Sequence, residues 1–197
     1  MDVESLLYLA LDASNVVMLN PKDAPADWRF SGDSLDVGIA DVLLKMQFFR
    51  PDTAPPYKRI HEIPFTSDRK YMAALKNMEV DYSLAVKGAA ELILERSSYI
   101  HEKGNNKLTE KKKEELLELH NKMTESGLRV IAVAYKEFQS APEHISDKDV
   151  GDLVFKGFLA FEDPLRDDVH ETLKIAAKAG IRTIMITGDH VKTAQSI

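Results

Sequence analysis

Ile63-Pro-Phe-Thr-Ser-Asp-Arg-Lys-Tyr-Met72 leads into an apolar run ending at Met78, a turn at Glu79–Asp81, a second apolar run from Tyr82 to Val86, and Lys87-Gly-Ala-Ala-Glu91. Two extended segments joined by a short turn read as neighbouring antiparallel strands. Each ends at a cluster with distinct chemistry. Phe65 offers an aromatic face, Met72 a flexible thioether, and Arg69, Lys70 and Lys87 positive charge. A base stacked on an aromatic ring gains roughly 1–3 kcal/mol, and an ammonium beside a phosphate adds a charge-assisted contact. The stretch is therefore a candidate nucleotide pocket. The plain alternative is a β-hairpin with Phe65 in the core and its cations in water, and composition leaves both open.

Working outward, the period falls to two from Tyr57, where Ile60, Glu62 and Pro64 alternate against His61, Ile63 and Phe65. Residues 57–87 thus read as an antiparallel meander. Earlier in the chain, Val3, Leu6, Leu7, Ala10, Leu11 and Val17 keep near-helical spacing over residues 3–19. Asn20–Trp28, holding Pro21 and Pro25, is a loop. A helix near Val37–Phe49 follows, with Asp33, Ser34 or Asp36 as its cap, and Pro51–Pro56 breaks the chain. After the meander, Gly88 and Ala89 open a helix with Leu92, Ile93 and Ile100 on its apolar side, and Gly104–Leu108 is a polar loop. Thr109 caps the longest helix, Glu110–Ser126, with Leu116, Leu117, His120 and Met123 as its stripe and Gly127 as its stop. Arg129–Tyr135 is a buried strand, Gln139–Val150 a loop and Leu153–Phe161 a further strand.

At Asp163 the pattern changes. Asp163-Pro164-Leu165-Arg166 places a capping carboxylate before a proline, a helix start, and helical spacing continues to Gly180. Ile181–Ile186 is a β-branched strand ended by Thr187-Gly188-Asp189. Strand, helix and strand with short joints predict a βαβ unit. The expected fold class is α+β, an antiparallel twisted sheet flanked by helices over residues 1–157, followed by a partial α/β unit over 158–197. Unpaired strand edges there predict self-association or loose order.

Composition excludes several functions. At 197 residues with 44% hydrophobic content the chain can bury a core, and a net charge of −6 argues against a nucleic-acid surface. Lys111–Lys113 is flanked by Glu110, Glu114 and Glu115, which marks a solvated helix face. With no cysteine there are no disulfides or thiolate metal sites. No apolar run approaches the ~20 residues that span a bilayer, so a soluble polypeptide is expected.

Each further candidate has a plain structural alternative. Thr187-Gly188-Asp189 ends a strand, where open α/β sheets bind ligands; its hydroxyl and amide could donate to a phosphoryl oxygen, and its carboxylate could join a Mg²⁺ shell. The same tripeptide is also an ordinary turn. Capping accounts for Asp163 and Pro164 and leaves Arg166 as a phosphate or interdomain contact. Arg129 is either a snorkelling edge residue or a pocket cation. Asp33 and Asp36 could cap a helix or accept from an adenine amino group. The histidines show no ligand spacing, and no metal site is expected. Neither a P-loop nor a Gly-x-Gly-x-x-Gly is present.

The motifs in order carry more than any one of them. Gly-Asp-Ser-Leu-Asp (32–36), Phe-Thr-Ser-Asp-Arg-Lys-Tyr-Met (65–72), Lys-Gly-Ala-Ala-Glu (87–91), Gly-Leu-Arg-Val-Ile-Ala-Val-Ala (127–134), Asp-Pro-Leu-Arg (163–166) and Met-Ile-Thr-Gly-Asp (185–189) occur in sequence. Over nearly its whole length the chain resembles the cytoplasmic part of a P-type cation-transporting ATPase, closest to the calcium-pump-like and sodium-pump-like branches. It departs at Ala90 and Leu165, where the family usually has proline, and at Leu35 and Asp36, where threonine and glutamate are common.

The resemblance implies an antiparallel-sheet nucleotide-binding (N) domain inserted into a phosphorylation domain of haloacid-dehalogenase type. It implies adenine stacked on Phe65, with Ser67, Lys70 and Met72 in the binding set and Lys87 at the pocket floor beside Gly88. Asp36 would lie near the adenine edge and Arg129 towards the phosphates. Asp163–Arg166 would form the hinge, and Thr187, Gly188 and Asp189 would lie beside the transferred phosphoryl group and Mg²⁺. The family's phosphorylated Asp-Lys-Thr-Gly-Thr is absent from the sequence, so the chain is expected to be a fragment that binds ATP without turnover. Its partners would be the remaining phosphorylation, actuator and transmembrane domains of a membrane pump, on the cytoplasmic side, with calcium as the first expectation for the ion. The alternatives are the cap and partial core of a soluble haloacid-dehalogenase-type phosphohydrolase, or a non-catalytic nucleotide-sensing module.

Overall fold

The computed structural model describes residues 2–48, 59–78, 81–162, 168–184 and 186. Among these residues the centre is a seven-stranded sheet. The strands are β3 (Arg59–Ile63), β4 (Tyr71–Asn77), β5 (Tyr82–Gly88), β6 (Ser97–His101), β7 (Asn105–Lys107), β8 (Arg129–Phe138) and β9 (Leu153–Phe161), in the order β3-β4-β5-β8-β9-β6-β7. Among the described residues every pairing in this sheet is antiparallel except β6 with β9. The meander and the strand at Leu153–Phe161 are as the sequence predicts. β9 runs across the 157/158 junction.

Alternation along the strands sends side chains to two cores. Tyr71, Ala73, Leu75, Leu84, Val86, Ala132 and Ala134 pack with Ile93 and Leu94 of α3 (Ala90–Glu95) and with Leu116 and Leu117 of α4 (Glu110–Glu125). On the other face Val133 and Ile131 meet Leu6, Leu7, Ala10 and Leu11 of α1 (Val3–Asp12) and Ile39, Ala40 and Leu43 of α2 (Ser34–Lys45). Two helical layers therefore cover a sheet whose central strands are buried on both sides.

Local chemistry sets the helix ends. Asp33 caps α2, accepting from the Leu35 N–H at 3.0 Å. Thr109 caps α4 through Lys112 N–H. At its far end Gly127, with φ 86, lets Leu128 N–H reach the Met123 carbonyl and its own N–H reach Thr124, a Schellman stop.

Five expectations need correction. The first helix ends at Asp12 rather than 19: Ser14 Oγ donates to the Leu11 carbonyl, and β1 (Val17–Met18) pairs with β2 (Phe30–Ser31) as a two-stranded ribbon. α2 begins at Ser34 and ends at Lys45, short of the expected Phe49, which lies outside the described residues. Ile100 belongs to β6, not to a helix, because α3 stops at Glu95; Asn105–Lys107, expected as loop, pairs with it across a turn with Lys103 and Gly104 at positive φ. Residues 181–184 and 186 are in no strand and are exposed; a strand is a paired state, and nothing among the described residues supplies a ladder there. Residues 163–167, including the expected helix start, lie outside the described residues, and α5 is described as Val169–Lys178.

Candidate functional site

The clusters flanking β4 and β5 converge. Met72 and Lys87 are directly paired residues of the two strands, and Tyr71 pairs with Gly88. Beside them lies a cleft of about 470 Å³. Phe65 and Lys70 come to it from the β3–β4 turn, Met72 from β4, and Lys87, Gly88 and Ala89 from the end of β5. Arg129 and Ile131 of β8 form another wall, and Asn15, Gly32, Asp33, Leu35 and Asp36 close it from the α1–α2 side.

The wall chemistry suits a flat aromatic ligand. Phe65 is 59% exposed, so its ring is not part of the core. Met72 is buried and gives an apolar floor. Gly88 is bare backbone for a steric reason: a Cβ there would come 2.4 Å from the Lys70 carbonyl oxygen and 2.6 Å from Tyr71 Cβ. The Lys70 carbonyl also accepts from Ala89 N–H at 2.9 Å, which welds the turn to the end of β5. Lys70 itself has φ 58, a left-handed conformation uncommon outside glycine.

Lys87 is buried at this floor and ion-paired to Asp36. Burial pushes its amine below the ordinary lysine value, against the pull of Asp36 in the other direction. The other Asp36 oxygen accepts from Asn15 N–H at 3.1 Å. Of the two aspartates offered as caps, Asp33 is the cap, and Asp36 instead holds the lysine. An ammonium has three donors, so Lys87 can keep Asp36 and still meet a ligand.

Among the sequence candidates, Asp36, Phe65, Lys70, Met72, Lys87, Gly88 and Arg129 all line this cleft. Ser67 lies in the same turn, exposed, and is not part of the lining. Arg166, Thr187, Gly188 and Asp189 lie outside the described residues. Leu35, Ala89 and Ile131, which fall inside the quoted motifs without being singled out as binding residues, also line the wall, and Asn15 joins it without any signal in the sequence. No group of three His, Cys, Asp or Glu among the described residues could hold a metal ion.

A larger cleft of about 870 Å³ lies across the same turn, lined by Arg69, Arg96, Glu91, Glu95 and Asp147 among others and sharing Lys70 and Ala89 with the smaller one. Its ring, Tyr71, is 1% exposed and is covered by the guanidinium groups of Arg96 at 5.1 Å and Arg69 at 5.9 Å. With no accessible ring and with its arginines already bonded to Asp147, it is the poorer place for a base. The smaller cleft is the candidate site.

The family model for P-type ATPase, cytoplasmic domain N, matches residues 3–168. A calcium-transporting ATPase of Listeria monocytogenes is 32% identical over 182 residues, covering 92% of this chain and 21% of that protein. One from Schizosaccharomyces pombe is 32% identical over 197 residues, 99% of this chain and 21% of its own length. One from Bacillus cereus is 38% identical over 142 residues, 72% of this chain and 16% of its own. The chain thus spans about a fifth of the length of such relatives.

Proposed function

The chain belongs to the P-type ATPase family, matching its cytoplasmic domain N, and from that premise we propose that it holds the ATP with which a cation pump is phosphorylated. The observation that carries this is the convergence of an exposed ring at Phe65, the bare backbone of Gly88 and the lysines 70 and 87 on one cleft. Adenine stacks on Phe65 over Met72 and Gly88. Lys70 and Arg129, neither in a described ion pair with an acid, face the phosphates, with Lys87 at the floor.

Positioning is the domain's share of the chemistry. It grips the base and presents the γ-phosphate to an aspartate outside this chain for in-line transfer, so binding without turnover is expected. Residues 1–157 act as the N domain and 158–197 as the start of the phosphorylation domain, where Arg166, Thr187, Gly188 and Asp189 serve the phosphoryl end and Ser67 the nucleotide end. Mg²⁺, when bound, neutralises charge on the phosphate oxygens. The described carboxylates of the cleft are engaged elsewhere, Asp33 as a cap and Asp36 with Lys87, so the metal comes with the triphosphate. The relatives' names point to calcium as the ion carried by the whole protein, a membrane pump with this domain on the cytoplasmic side and its actuator, transmembrane and remaining phosphorylation domains as partners.

Calorimetric titration of the chain with ATP tests the proposal. One stack and one or two ammonium–phosphate contacts, less the cost of association, predict a Kd on the order of 0.1–10 mM. Equal binding by the parent, Phe65→Ala and Lys70→Ala would put the site elsewhere.

A further inference from the structure

We propose that Asp147, in the loop between β8 and β9, is a positioning residue for this site: its carboxylate fixes Arg69 and Tyr71 on either side of Lys70 and so aims the Lys70 ammonium into the cleft. The inference rests on the nucleotide-binding role proposed above.

One carboxylate oxygen, Oδ1, accepts from both Arg69 Nε at 2.9 Å and the Tyr71 hydroxyl. These two residues bracket Lys70, whose left-handed backbone persists only where its surroundings fix it. Further bonds close the turn: Arg69 Nη1 donates to the Pro64 carbonyl at 3.1 Å, Arg69 N–H to Thr66 Oγ1 at 3.1 Å, and Lys70 N–H to the Thr66 carbonyl at 2.8 Å. From behind, Arg96 Nη1 donates to the carbonyls of Asp147 and Val150 at 3.1 and 2.9 Å, holding the loop in place. The Asp147 side chain is 59% exposed, so core packing does not account for its position, and an exposed ion pair adds little stability. The Tyr71 hydroxyl first and Arg69 second keep its carboxyl below the ordinary value, so it stays ionised at neutral pH.

The arrangement separates two ligands. Adenosine uses the stacking floor; ATP also uses Lys70. ATP and adenosine are titrated into the parent, Asp147→Ala, Asp147→Asn, Lys70→Ala and the Asp147→Ala/Lys70→Ala double variant. Asp147→Ala should weaken ATP by roughly five- to tenfold, and leave adenosine within about twofold. In the Lys70→Ala background it should cost nothing more, because its effect passes through that ammonium. Should Asp147→Ala fail to fold, Asp147→Asn, of the same size, decides by the same dependence on Lys70. Parent-like ATP binding by the Asp147 variants, or an equal loss with and without Lys70, overturns the positioning role and leaves the nucleotide site standing. A parent that does not respond to millimolar ATP overturns both.

Discussion

Lys76 and Lys87 sit towards opposite ends of the β4–β5 ribbon, and each is paired with an aspartate from the α1–α2 layer. Both are buried, at 5% and 9% exposure; Lys76 meets Asp12 and Lys87 meets Asp36. The chemistry is the same and the surroundings differ. Asp12 ends α1 under a second cation, Arg59, which donates to the Asp12 and Ser14 backbone carbonyls, and burial pushes the Asp12 carboxyl above its ordinary value. The Lys87 pair instead forms part of the wall of an open cleft beside Phe65 and Gly88. A buried ion pair is therefore no marker of a binding site by itself. Adjacent open volume, an exposed ring and backbone without a side chain turn one of the two pairs into a candidate site.

The comparison breaks if the two pairs respond alike. Asp12→Ala leaves Lys76 buried without its carboxylate, and should lower the unfolding free energy by about 3–5 kcal/mol, read by chemical denaturation, while ATP affinity of the folded protein stays unchanged. Phe65→Ala should do the reverse. The lost stack costs roughly 1–3 kcal/mol of ATP binding, visible by calorimetry, with stability within about 0.5 kcal/mol because the ring is mostly exposed. Gly88→Ala joins both effects, since its Cβ collides with Lys70 and Tyr71; a stability loss of about 1–3 kcal/mol should come with weakened ATP binding.

The smallest effect lies at high pH. Burial first, and the bond to Asp147 second, push the Tyr71 phenol from 10.0 up to about 12. The folded state keeps this proton where the unfolded chain has lost it, so its contribution is complete below pH 10.0 and is lost as pH rises towards about 12. Tyr71→Phe should flatten the fall in stability across that window. An unchanged slope would show that the phenol is not responsible.

Much of this was legible because strong local signals agreed with tertiary need. Thr109 and Gly127 bracket α4 in sequence and in structure, and the apolar run of Leu153–Phe161 needed no context. The overrun from Asp12 to residue 19 came from Val17, which keeps helical spacing but pairs as a strand. Asn105-Asn106-Lys107 is exposed throughout and polar, so its pairing with β6 left no periodic trace. The cleft's ring, glycine and cations were readable as residue types in order. That Asp33 caps while Asp36 holds Lys87 was not, because the two acids differ only in which way α2 turns them. Asp147, an exposed loop aspartate, carries no sequence signal at all.

Amide shift mapping during ATP titration tests the central claim most directly, because it reads both ends of the β4–β5 ribbon in one experiment. Progressive shifts at Phe65, Lys70, Met72 and Lys87–Ala89, with Asp12, Lys76 and Ser83 unmoved, are the predicted result. Shifts centred on Arg96 and Glu91 in the larger cleft, or equal shifts at both lysine pairs, would contradict it.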